Sequence, residues 1–177
     1  MKILIISDTS VKNVEQLIKK CDLLVTCGDL SSWMFQHVNK HWFGVYGNHC
    51  DGKYIEEFGG ENLHLKTKTF SGLTFGGFES CIKYKEESQP VPLYTQDQAS
   101  TLLKDFPPVD IFVSHSPPYG LLDDPTDHVH TGFTAFREYI DRNRPKYFLC
   151  GHLYSNEDMI YKDTKIIRTY GYQWLKI

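Results

Sequence analysis

Five short apolar runs in this chain each end on a small residue followed at once by a side chain able to hold a metal. That repeated junction constrains the fold more than any other feature. The runs are Ile3 to Ser7 before Asp8, Leu23 to Gly28 before Asp29, Trp42 to Gly47 before Asn48 and His49, Ile111 to Ser114 before His115, and Tyr147 to Gly151 before His152. Their apolar residues are continuous rather than alternating, the pattern of strands buried on both faces by flanking helices. Stretches with helical character separate them: Val11 to Lys20, Ser31 to Lys40, Lys53 to Phe58, Gln96 to Phe106 and Thr134 to Asn143. Ser31 or Ser32 can cap the second and Thr95 the fourth, and Pro145 helps to stop the last. Strand alternating with helix requires crossover connections and mostly parallel pairing, so the five strand ends are expected on one edge of the sheet.

Leu73 to Ser80, and Ile166 to Gly171 with Gln173 to Ile177, read as further strands in a second sheet or at its edge. The last pair is close enough to form a hairpin through Gly171 and Tyr172. Tyr84 to Leu93, polar and broken by Pro90 and Pro92, reads as an exposed loop. A chain of 177 residues, 41% hydrophobic, suits one domain over residues 1–177. Its formal net charge of −3 supplies no basic field for a nucleic-acid backbone, which argues against a nuclease. The N-terminus opens directly into a strand pattern without signal-peptide features, and no apolar run has membrane-spanning length, so a cytoplasmic protein is expected. Five cysteines without a CxxC pair argue against a disulfide framework or zinc knuckle and read as reduced fillers.

Ligands for a catalytic ion must converge from separate rigid positions, and the carboxyl ends of parallel strands provide such positions. The five tips offer two carboxylates, one amide oxygen and two or three imidazoles, a mixed oxygen and nitrogen set suited to manganese, iron or zinc. Any single tip can be a turn or a helix cap, because an Asp after a strand often only caps. Five such tips, each after a buried run, are hard to explain as turns.

In order, Asp8, Gly28-Asp29, Gly47-Asn48-His49, His115 and Gly151-His152 resemble the calcineurin-like metallophosphoesterases, whose pattern is DxH, GD, GNH followed by an acid, H, and GHxH. SHSPPYGLLDD, His130-Thr131-Gly132 and the terminal TYGYQWLKI resemble the small branch related to cyclic-nucleotide phosphodiesterases. The resemblance implies an α/β fold, a four-layer α-β-β-α sandwich of mixed sheets with metal ligands at strand C-terminal ends. It also implies hydrolysis of a phosphodiester or phosphomonoester, such as a cyclic or small nucleotide, by water activated on one or two divalent ions. By the same resemblance Asp29 bridges two ions, Asn48, His115 and His152 complete one site with it, and Asp8 belongs to the other. His49 is then the catalytic acid or phosphate contact.

Two histidines of the family pattern are missing here, replaced by Ser10 and Tyr154. Both belong to one site, so one tight and one weak ion are expected, because three or four protein ligands are usual for a held catalytic ion. Tyr154, Ser10, or the loop histidines His128 and His130 could serve as surrogate ligands, and His130 is also placed to contact phosphate. Alternatively, the chain keeps the pocket only to bind a nucleotide or a partner. Cys50 stands where the family has an acid, and Asp51 could take over the acid's task of fixing the histidine. Trp33, just after Asp29, and Tyr119, just after His115, are placed to stack on a planar group, a pointer to a nucleotide-like substrate.

Overall fold

In chain order the elements are β1 (Lys2–Ser7), α1 (Val14–Ile18), β2 (Leu23–Thr26), β3 (Trp42–Gly44), α2 (Tyr54–Glu57), β4 (Glu61–Asn62), β5 (Thr67–Phe70), β6 (Leu73–Phe78), α3 (Gln96–Leu103), β7 (Ile111–Ser114), α4 (Thr134–Asn143), β8 (Tyr147–Cys150), β9 (Glu157–Tyr161), β10 (Thr164–Arg168) and β11 (Gly171–Lys176). The computed structural model describes residues 1–86 and 88–177. The strands form two mixed sheets, ordered β11-β1-β2-β3-β4 and β5-β6-β7-β8-β10-β9. Antiparallel edge strands, β11 on the first and β5 and β9 on the second, flank parallel interiors.

Strand alternation sorts the apolar residues into three cores. Ile3, Ile5, Val25 and Phe43 face Phe75, Ile111, Val113 and Leu149 between the sheets. Leu4, Ile6, Leu24 and Trp42 point outward, under α1, α2 and the 3-10 turn Ser32–Phe35. On the other side Phe112 and Phe148 point out under Ala99 and Leu103 of α3 and Phe136, Tyr139 and Ile140 of α4. The layers are thus α-β-β-α, and the runs are continuous because both faces of each central strand are covered.

α4 spans the residues its pattern predicts and stops at Arg144, in the left-handed region before Pro145. α3 opens on a reciprocal capping box, with Gln98 N–H donating to Thr95 Oγ1 at 3.2 Å and Thr95 N–H donating to Gln98 Oε1 at 2.8 Å. α3 stops at Leu103, short of the expected Phe106, and the remaining helices are shorter than expected too. Residues 31–40 give only one 3-10 turn, because Met34 and Phe35 are adjacent rather than three or four apart and a single turn buries both. Neither Ser31 nor Ser32 supplies a side-chain cap there: Ser31 stands at the N-cap without one and Ser32 is already inside the turn. The loop expected over residues 84–93 includes position 87, which lies outside the described residues, and Val91 within it is buried in the outer core of the first sheet.

The expected hairpin through Gly171 and Tyr172 does not form. β10 has both edges occupied, by β8 and β9, so the chain leaves the second sheet after Arg168 and β11 pairs with β1 of the first, Trp174 opposite Leu4. The hairpin partner of β10 is instead β9, through a turn at Lys162 in the left-handed region.

Phe112 is fully buried against Phe106, Phe136, Tyr139 and Phe148. Phe112→Ala is expected to cost roughly 3–5 kcal/mol of unfolding free energy, read as a lower denaturant midpoint with an unchanged slope.

Candidate functional site

The five strand tips converge, but from two sheets rather than one edge of one. Asp8 follows β1, Asp29 follows β2 and Asn48 comes just after β3 in the first sheet, while His115 and His152 follow β7 and β8 in the second. Two stacked parallel arrays, each delivering its carboxyl ends to the same side, make a seam with candidate ligands on both banks. A single-sheet reading of the sequence could not separate the two, because each run looks the same locally.

Asp8, Asp29 and His152 all have positive φ, at 65°, 52° and 73°. For residues other than glycine this conformation costs free energy and clusters at functional sites, where packing over-determines it. The packing here is close. A Cβ on Gly151 would lie 2.0 Å from Ser7 Oγ and 2.3 Å from Asp8 Oδ2, and His152 N–H donates to that same Oδ2 at 2.8 Å. His49 N–H donates to Asp29 Oδ1 at 2.8 Å, which ties the Asn48 turn to the Asp29 tip.

His115 is fully buried at the centre. Its Nδ1–H donates to the Cys27 carbonyl at 2.7 Å, so Nε2 faces the seam. Three acceptors surround that Nε2: His152 Nδ1 at 3.0 Å, Asn48 Oδ1 at 3.1 Å and Asp29 Oδ2 at 3.3 Å. The tautomer of His152 is fixed too, because its Nε2–H donates to the Val129 carbonyl at 2.8 Å and leaves Nδ1 with a lone pair. One proton cannot satisfy three such partners, whereas a divalent cation can. Donors bonded at about 2.1 Å to adjacent positions around an ion lie about 3.0 Å apart, close to the spacing found here. Asp8, Asp29 and His115 also bring ligand atoms within 4.8 Å of one another. The carbonyls of Cys27 and Val129 supply the outer support that orients metal-binding imidazoles.

The electrostatics suit a bound cation. Burial opposes a charge on His115, but the Asp29 carboxylate beside it, with help from Asp8, raises its pKa to about 9. Burial also raises Asp29, yet His115 and its hydrogen bonds hold that carboxyl well below the usual range. His152 is pushed down to about 3, by burial first and by the positive charge of His115 second, and so is neutral and ready to donate a lone pair. Burial raises Asp8. An incoming ion must displace the proton on His115, so divalent-ion affinity is expected to rise about tenfold per pH unit and to level off above about 9, a profile that isothermal titration across pH reads directly.

Asp8, Asp29, Asn48, His49, Asp127, Val129, His130, His152 and Tyr154 line a cavity of about 400 Å3 over the seam. His115 lies beneath it. Ser10 is exposed and outside the lining, as is His128, whose ring contacts the Lys83 carbonyl at 3.2 Å. His130 is on the wall, with Nδ1–H donating to Asp127 Oδ2 at 2.6 Å. Asp127 escapes a reading of the sequence because nothing marks it among the loop carboxylates; its spacing of three residues from His130 is the one available signal. Trp33 and Tyr119 do not line the cavity, whereas Tyr154 stands at its lip. The Cys50 sulfur accepts from Gly47 N–H at 3.1 Å and Asp29 N–H at 3.2 Å, a buried turn thiol. Asp51 does not fix the histidine: its Oδ1 caps α2 by accepting from Lys53 and Tyr54 N–H at 2.9 and 3.1 Å. All five cysteines are free and buried, and among the described residues no helix is long and apolar enough to cross a membrane.

The sequence profile of the calcineurin-like phosphoesterases matches residues 1–156. Among solved structures, a protein of Thermus thermophilus superposes with a TM-score of 0.71 at 16% identity, covering 96% of this chain and 89% of that one. A phosphopantetheinyl hydrolase from Mycobacterium tuberculosis gives 0.65 at 14% identity, with coverage of 96% and 89%. A novel archaeal phosphodiesterase gives 0.55 at 13% identity, with coverage of 97% and 84%. At these identities the likeness speaks for the fold alone. No curated protein matches the chain.

Proposed function

Since the chain belongs to the calcineurin-like phosphoesterase family, we propose that it hydrolyses a small phosphodiester or phosphomonoester of the nucleotide type, using a divalent ion held by Asp29, Asn48, His115 and His152. The observation that carries this reading is the ring of three acceptors at 3.0 to 3.3 Å around His115 Nε2, with both imidazole tautomers set by backbone carbonyls. The mixed oxygen and nitrogen set suits manganese, iron or zinc. Bound there, the ion supplies positive charge to the phosphoryl group and brings the pKa of water towards neutrality.

The chain's own residues do the rest. Asp29 holds the His49 turn by its backbone bond, so the exposed His49 ring stands on the cavity wall to donate to a phosphoryl oxygen or to protonate the leaving alkoxide. His130, oriented by Asp127, leaves Nε2 as its free ring nitrogen and contacts the phosphate from the opposite loop. Asp8 and Asp29 are the carboxylates left for a second ion. Two protein ligands hold an ion weakly, so one tight and one weak site follow.

Hydrolysis of bis-para-nitrophenyl phosphate and a panel of nucleotides in manganese tests this. The wild type is expected to turn over, Asn48→Ala to lose activity with metal affinity, and His49→Ala to lose about 10²- to 10⁴-fold in kcat with metal binding kept. Nucleotide binding without turnover by the wild type would replace this reading with that of a binding protein.

A further inference from the structure

The cavity lip carries an aromatic ring that the hydrolytic residues do not use. Tyr154 is 73% exposed, a large aromatic surface left in water at the edge of a cavity it helps to line. Its two ring neighbours are nearly perpendicular to it: Tyr170 with centroids 5.9 Å apart at 84°, and His130 at 5.8 Å and 73°. Neither stacks on it face to face.

The segment carrying this ring is tied down. Arg168, only 5% exposed, donates from Nε to the Ser155 carbonyl at 3.2 Å and from a terminal nitrogen to Ser155 Oγ at 2.6 Å. Its other terminal nitrogen donates to the Leu122 carbonyl, so one buried guanidinium joins the Tyr154 turn to the loop that bears His130. Asn156 Oδ1 accepts from Tyr170 N–H at 2.8 Å, which fixes the neighbouring ring as well. An exposed aromatic on a rigid turn loses little freedom when something planar settles on it.

We propose that Tyr154 is a specificity-determining stacking platform, which selects phosphoesters carrying a nucleobase over those that lack a planar group. This rests on the phosphoesterase reading for the chemistry, although the stacking itself does not require turnover. A cavity of about 400 Å3 lined by both the candidate ion ligands and this ring suits a phosphate with a base attached.

The test compares adenosine 5′-monophosphate with ribose 5-phosphate, which carries a hydroxyl in place of the base, in manganese. Both KM and the equilibrium Kd are measured. Tyr154→Ala is expected to raise both constants for the nucleotide about tenfold or more, the size of one base-aromatic stack, and to leave ribose 5-phosphate unchanged. Tyr154→Phe keeps the ring and is expected to keep the preference, which separates stacking from any role of the hydroxyl. Equal affinity of the wild type for the two probes, or binding of neither, overturns the proposal, as does a preference that survives Tyr154→Ala. Hydrolysis of both probes without preference would leave the phosphoesterase reading standing alone. A preference in Kd without hydrolysis would sink that reading and leave the platform.

Discussion

Asp29→Ala is expected to lower divalent-ion affinity by more than about 100-fold and to abolish phosphoester hydrolysis, the largest functional effect of any single substitution in the chain. Losing an outer partner of a metal ligand already costs about 10- to 100-fold, and in the proposed site Asp29 is itself a ligand. Its two oxygens serve different neighbours: Oδ1 accepts from His49 N–H at 2.8 Å, and Oδ2 faces His115 Nε2 at 3.3 Å. Removal therefore takes away a charged donor, frees the His49 turn and leaves His115 to the desolvation that otherwise opposes its charge. Asp29→Asn keeps the shape and the acceptor for His49 but loses the charge, so it separates the two contributions. Isothermal titration with manganese reads the affinity, and wild-type affinity in Asp29→Ala would remove Asp29 from the site.

Gly28→Ala is expected to cost about 2–6 kcal/mol of stability, comparable to Phe112→Ala and a large part of the roughly 5–15 kcal/mol that holds a domain of this kind folded. Gly28 has a φ of +93°, where an alanine is strained, and its Cβ would lie 2.4 Å from the Gly47 nitrogen and 2.7 Å from the Gly47 Cα. Those are backbone atoms of the turn that carries Asn48 and His49, so neither side can give without moving the site. Backbone strain of about 1–3 kcal/mol adds to an overpacking cost of about 1–3 kcal/mol. Gly59→Ala is the control. It shares a positive φ, +74°, but meets nothing within 4 Å, so only the backbone strain remains. Urea unfolding of the two variants should differ, and equal midpoints would contradict the close approach of the two tips.

The sequence made the strand tips legible and left their partition between sheets hidden. Each of the runs before Asp8, Asp29, Asn48, His115 and His152 is a buried strand because burial on both faces leaves a continuous apolar signature. Which sheet a strand joins depends on long-range pairing, and that is why the β10 to β11 step across sheets reads locally as a hairpin. Helix length was legible where a full apolar stripe exists, as in α4, and illegible where adjacent residues such as Met34 and Phe35 bury themselves in one turn. The carbonyls of Cys27 and Val129 could not have been found at all, because a backbone acceptor has no residue signature. Tyr154 was visible as a departure from a ligand pattern, but its place on the lip comes from the turn that Arg168 fixes.

One complete ion site, built on Asp29, Asn48, His115 and His152 beside a pair of carboxylates too few to hold a second ion tightly, is the central claim. Metal titration followed simultaneously by equilibrium binding and by bis-para-nitrophenyl phosphate hydrolysis tests it most directly. One tight equivalent per chain, with activity developing only as His115 ligation is satisfied and lost in Asn48→Ala, is the predicted result. Two tight equivalents per chain, or turnover that survives Asn48→Ala, would contradict it.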